Sequence, residues 1–166
     1  MTRRRERQRG VAMIELGISL ALVVMLMLGL ADVARLLTLR QELSDLCREA
    51  GNLVSRGGST DDAITMATAA IATFGNPSES GVVISRVRRR SDADSTPWIV
   101  DQVSNGTLAG DGTLGTPNGP ATLPAISSLA PGVTIMVVEL IHGFHPVFGP
   151  AGQRFYPSRI RELAVF

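Results

Sequence analysis

Lysine is absent from this chain of 166 residues, and every side-chain cation apart from its two histidines is an arginine. Arginine keeps its charge in any environment, and the bias is read here as genomic composition. Cysteine is nearly absent. Cys47, standing alone, excludes an intrachain disulfide and a multi-cysteine metal site. It falls on an expected helix, where a small buried apolar role is favoured over a reactive thiol. Aromatics make up 4% of residues although hydrophobic types make up 45%. Much of the apolar content is therefore aliphatic and concentrated near the N-terminus, and the core left for a folded domain is small. Net charge is +1, a balance that gives no electrostatic footprint for nucleic acid. The length allows one domain and an anchor, not two sizeable domains.

What is present is a long apolar run. Residues 11–31 read VAMIELGISLALVVMLMLGLA, with Glu15 as the one charge. At 1.5 Å per residue the run spans roughly 31 Å, about one hydrocarbon core. Arg3, Arg4, Arg5, Arg7 and Arg9 precede it. The positive-inside rule then puts residues 1–10 in the cytoplasm and everything after Ala31 outside. Two other readings share this run. A secretory signal could be cut at GLA before Asp32, although the run exceeds the usual apolar core of about 7–15 residues. A plain signal anchor needs no cut. Neither accounts for Glu15.

From Asp32 the pattern continues as helix, with no proline before Gly57-Gly58. Leu36, Leu39, Leu43, Leu46, Ala50 and Leu53 form a heptad-like stripe. It suits packing on the chain's own domain or a seam against neighbouring helices. Unbroken from Val11 to Arg56, such a helix would be roughly 69 Å long. Ser59 or Thr60 can cap a second helix with Ile64, Ala67, Ile71 and Phe74 on one face. Strands are expected at GVVISRVRRR, at WIVDQV, at VTIMVVELIHGFHPVFGP and at RIRELAVF. In the third, Thr134, Met136, Val138, Leu140 and His142 share a face. Residues 104–131, rich in Gly, Thr, Pro, Asn and Ser, read as a long, mobile surface loop. The expected organisation is residues 1–10 as leader, 11–31 as transmembrane helix, 32–57 as its soluble continuation and 58–166 as an α+β domain carrying that loop.

The opening carries the functional signal. A basic leader ends in Gly10, four residues follow, and Glu15 stands inside a helical apolar run. A carboxylate at depth in a bilayer is expensive and is functional by default. This arrangement resembles a class III prepilin signal. The resemblance implies that a membrane-embedded prepilin peptidase cuts between Gly10 and Val11, removing the leader arginines and creating an α-ammonium on Val11. Glu15 of one subunit could then pair with the Val11 amine of a neighbour and set axial register. Gly10 suits the cut because it lets the backbone extend in a tight groove. More narrowly, RGVAMIELGISLALVVMLMLGLADVAR is similar to the TadE-like minor pseudopilins of tight-adherence (Flp/Tad) pili, with Asp32 and Arg35 in the polar turn after the run. VTIMVVELIHGFHPVFGP matches their C-terminal pattern in outline. Leu16 departs from it, standing where an aromatic often follows the glutamate.

The resemblance implies a pilin-like α+β fold in which a long N-terminal helix packs its lower half on a small antiparallel sheet. It implies a non-enzymatic, cofactor-free role in initiating, capping or modulating a filament for surface adhesion. The implied partners are the prepilin peptidase, other pilins and pseudopilins, Tad inner-membrane assembly proteins and membrane lipid, with no nucleic acid. The implied location is the bacterial inner membrane as a single-pass protein with its C-terminal domain periplasmic or extracellular, or the pilus itself. A type II secretion or type IV minor pseudopilin, and an unprocessed envelope anchor, remain alternatives.

Other features read as structural. His142 and His145 lack further ligands nearby in sequence. The arginines at 86–90 lack interleaved aromatics. AGDGTLG lacks the ending of a phosphate loop and the ligand ladder of a calcium loop. Asn105-Gly106-Thr107 matches a glycosylation acceptor by pattern alone. Gly17, Ser19, Ala21 and Gly29 could allow close helix approach. No nucleophile motif is present.

Overall fold

A computed structural model describes residues 2–89, 96–122, 129–147 and 154–166, with residues 2–11 as backbone. Arg90 and residues 123–128 of the expected loop lie outside the described residues, as does Pro150. Helix α1 covers Thr2–Ser55 and helix α2 covers Thr60–Phe74. Among the described residues four strands follow: β1 (Ser80–Arg89), β2 (Pro97–Asn105), β3 (Thr134–Gly143) and β4 (Arg159–Val165). The chain divides into two compact units, Met1–Leu37 with His145–Tyr156, and Thr38–Phe144 with Pro157–Phe166.

The second unit is the α+β domain. Its strands form one antiparallel sheet in the order β2-β1-β3-β4. The α1 helix ends as Gly57-Gly58 dictates. Gly57 adopts φ 90°, its N–H donates to Val54 O, and Gly58 N–H donates to Leu53 O at 2.9 Å. That paired bonding satisfies the last carbonyls of the helix, and the left-handed residue is cheap only as glycine. Ser59 then caps α2, its hydroxyl accepting from the N–H groups of Asp61 and Asp62. Ile64, Ala67 and Ile71 are buried as their spacing implies, while Phe74 is half-buried.

One face of the sheet carries Val82, Ile84, Val138, Leu140 and His142, brought side by side by the β1–β3 register. The helices cover this face. Arg40 meets Glu162 at 2.6 Å, the Cys47 thiol donates to Glu162 O at 3.4 Å, and Asn105 donates to Thr68 at 3.5 Å. At the end of α2, a Cβ on Gly75 would stand 2.6 Å from the His142 ring, so that glycine permits the close approach. The α1 stripe is buried at Leu43, Leu46, Cys47 and Ala50. Leu36 and Leu39 are half-buried, and Leu53 is 37% exposed while Val54 turns inward. An unsupercoiled helix turns every 3.6 residues, so a strict seven-residue stripe drifts off the contact line.

The opposite face is covered by residues expected to form a free loop. Leu114 (1% exposed) and Ala121 join Val87, Ile99 and Val137 in a second apolar cluster. Residues 116–122 run beside β2. Ile99 N–H donates to Gly119 O, Asn118 N–H to Ile99 O, and Ala121 N–H to Pro97 O. The outer edge of β2 thereby gains backbone partners, which blunts its tendency to pair with other chains. Buried Glu139, 1% exposed, ties the loop down. Its carboxylate accepts from the Thr113 N–H and hydroxyl and meets Arg161 at 2.9 Å. Arg159 meets Asp111 at 2.6 Å. The loop is thus packed onto the sheet at Leu114 and Ala121, while its other described residues are exposed or half-buried. Isolated apolar residues in a Gly/Thr/Pro stretch carry no periodicity that would reveal them.

If Leu114 is core, Leu114→Ala costs about 2–5 kcal/mol. Urea titration of the full chain in detergent, followed by Trp98 fluorescence, measures this; Trp98 bridges to Pro120 of the cover. A change within about 0.5 kcal/mol, the usual surface range, would mean the loop is not packed.

Candidate processing and membrane site

In the first unit, Gly10, Val11 and Glu15 all lie on α1. Val11 and Glu15 are one turn apart on the same side, about 6 Å along the axis. Glu15 is exposed, and the aliphatic residues around it are exposed on every side of the helix, from Met13 to Leu30. A helix apolar all round has no aqueous face and suits a bilayer. Mean hydropathy reaches 2.4 in the best 18-residue window of Ala12–Ser55, and none of that window is buried by protein. This fits a single-pass membrane anchor.

The apolar stretch ends at a second polar station. Asp32 is fully buried, and its carboxylate accepts from Val147 N–H at 2.7 Å, with the Arg35 guanidinium 3.8 Å away. One turn earlier, Tyr156 donates its hydroxyl to Gly29 O at 3.1 Å. A Cβ on Gly29 would lie 4.0 Å from that hydroxyl oxygen, so alanine would fit and a longer side chain would push the ring away. Val147 and Tyr156 are therefore fastened to α1 at Asp32 and Gly29. The sequence marked Asp32 and Arg35 as a polar turn but gave no sign of these partners, since Val147 is 115 residues from Asp32 and Tyr156 is 127 from Gly29. The Pro-interrupted apolar stretch after β3 was the available signal.

The remaining candidates lie elsewhere. His142 is buried on the sheet in the second unit, while His145 is exposed in the first. Arg86 and Arg88 are exposed on β1, and Arg89 donates to Leu129 O at 3.0 Å. Of the stripe, Leu43 and Leu46 are spent on the chain's own sheet. Cys47 is buried. Desolvation pushes its thiol up from 9.0 to about 12, partly offset by the Leu140 backbone and reinforced by the carboxylates of Glu162 and Glu139.

Residues 10–52 match the family described as TadE-like protein. The match opens on the Gly10–Glu15 signal, crosses the apolar run and Asp32, and ends in the part of α1 that lies on the sheet. No curated protein and no solved structure matches the chain. The similarity is confined to α1.

The raised Cys47 value predicts slow alkylation. At pH 8 the thiolate fraction is lower than that of an unfolded thiol by about a thousandfold, so iodoacetamide should label the native chain far more slowly than the denatured one. The folded state holds this proton more tightly than the unfolded state. The thiol's contribution to stability is therefore full below pH 9.0 and is lost as pH rises toward about 12. Equal native and denatured labelling rates would contradict the burial.

Proposed function

We propose that this chain is a minor pseudopilin of a tight-adherence pilus, cut by prepilin peptidase after Gly10 and needed to assemble or initiate the filament. One observation carries the reading: a Gly-x4-Glu signal at the head of a helix that is apolar on every side, inside the stretch that matches the TadE-like family. The packed α+β domain supports a minor rather than a major subunit, because major Flp subunits resemble little more than the N-terminal helix.

The mechanism follows from charge. The leader arginines hold residues 1–10 on the cytoplasmic side of the inner membrane, so the sheet domain is exported. Gly10 lies in helical backbone. Cleavage needs that backbone extended, and glycine leaves a helix about 1 kcal/mol more easily than alanine. The cut removes the arginines and gives Val11 an α-ammonium. Glu15 of one subunit and Val11 of the next then neutralise each other in a medium that solvates neither, which fixes axial register. Before assembly the carboxylate lies about 6 Å from the start of the mature helix, close enough to the membrane edge to reach water.

Two outcomes are expected. N-terminal sequencing of the membrane form should give Val11 as the first residue in cells with prepilin peptidase and an uncut chain without it. An uncut chain in both strains, or a start at Asp32, overturns the reading. Glu15→Gln should leave insertion and cleavage intact. Removing one partner of a desolvated pair costs about 3–5 kcal/mol, so entry into filaments should fall about a hundredfold or more. Immunoblots of sheared pili measure it, and unchanged entry would remove the pairing from the mechanism.

A further inference from the structure

We infer that residues 145–147 and 154–156 form a second membrane-contacting element, a foot that rests in the outer lipid interface where α1 leaves the bilayer. The inference rests on the membrane-spanning reading of α1. Three observations lead to it. The first is depth. From Ala12 to Gly29 the helix rises about 26 Å, and to Asp32 about 30 Å, so these residues fall at the far boundary of a hydrocarbon core of about 30 Å. Tyr156 and Val147 are hydrogen-bonded to those two residues, at 3.1 and 2.7 Å. The foot is therefore held at the boundary by bonds to the spanning helix itself.

The second observation is what the foot exposes. Phe155 is 84% exposed and Val147 is 55% exposed, although both are apolar. Apolar side chains fixed at that depth meet acyl-chain ends rather than bulk water. Tyr156 has its hydroxyl on a backbone carbonyl at the headgroup level, the place that amphipathic rings favour in membrane proteins.

The third observation is charge. Arg154, beside Phe155, is exposed, and the Arg35 side chain is 57% exposed one turn beyond Asp32. Guanidinium groups at this height match the phosphates of lipid headgroups, with which they form paired hydrogen bonds. Arg35 also meets the buried Asp32 carboxylate at 3.8 Å, and its guanidinium has further N–H donors to offer a phosphate. The occupant of this surface is thus phospholipid, continuous with the lipid around the apolar run. The foot would brace the outer end of the helix against the bilayer and would have to leave lipid when the subunit is extracted into a filament.

The test uses the full chain in phosphatidylcholine–phosphatidylglycerol vesicles. Trp98 is the only tryptophan, so Trp98→Phe gives a silent background. Into it are placed, separately, Phe155→Trp on the foot and Leu20→Trp in the middle of the span; both positions are exposed, so neither should disturb packing. Lipids brominated at shallow or deep acyl positions report depth. The expected result is a blue-shifted emission for Phe155→Trp, with the greatest loss of intensity from shallow bromines, and for Leu20→Trp the greatest loss from deep bromines. Quenching at Leu20→Trp with water-like, unquenched emission at Phe155→Trp overturns the foot while leaving the span in place. No quenching at Leu20→Trp overturns the spanning reading, and the foot with it.

Discussion

An ionised carboxylate among aliphatic side chains is tolerated only near water or beside an opposite charge; at the centre of a membrane helix an acid costs about 3 kcal/mol or more. Glu15 stands near the start of such a stretch, and no ion pair reaches it among the described residues. Much of the first unit is consistent with that constraint. Among the described side chains the helix around Glu15 offers no cation, only Ser19 one turn on and exposed Met, Ile, Leu and Val. A cation for Glu15 must then come from another molecule or from new chemistry on this one. The proposed cut supplies it: hydrolysis of the Gly10–Val11 peptide bond leaves a carboxylate on the departing leader and an α-amine on Val11.

The same helix is used in two different ways, and its sequence shows where the use changes. Up to residue 31 the apolar residues surround it, and from residue 38 to 55 they form a stripe that lies on the sheet. The polar turn between them was visible as Asp32 and Arg35. Its chemistry was not, because a buried aspartate needs a donor, and that donor is the backbone of a segment far along the chain. Local signals were legible where local physics decides: Gly57 at the helix stop, Ser59 at the cap, and the β-branched run Val82-Val83-Ile84 in β1. Leu53, on the stripe by heptad spacing, is 37% exposed, and Val54 beside it is half-buried.

The loop shows the other limit. Nothing in SNGTLAGDGTLGTPNGPAT has a period, yet Leu114 and Ala121 complete a core on the second face of the sheet. What holds them is Glu139 on β3, at a position where alternation by itself calls for an apolar side chain. Burying that carboxylate is tolerable because Thr113 and Arg161 bond to it. A contact of this kind depends on residues from three parts of the chain, so no window of sequence contains it. The domain is in consequence a sheet covered on both faces, by helices on one and by an ion-paired loop on the other.

The absence of lysine offers a direct route to the central pair. In the mature chain that the proposed cut would produce, the Val11 α-amine is the only primary amine, since every other strong cation is arginine. A membrane-permeant carbodiimide, which joins a carboxylate to an amine without a spacer, can be applied to assembled filaments and the products read by mass spectrometry. Pairing predicts an amide between Glu15 of one chain and the α-amine of another, lost in Glu15→Gln and absent from unassembled protein. Activation of Glu15 in filaments, seen as its carbodiimide adduct, with no amide to any α-amine would contradict it.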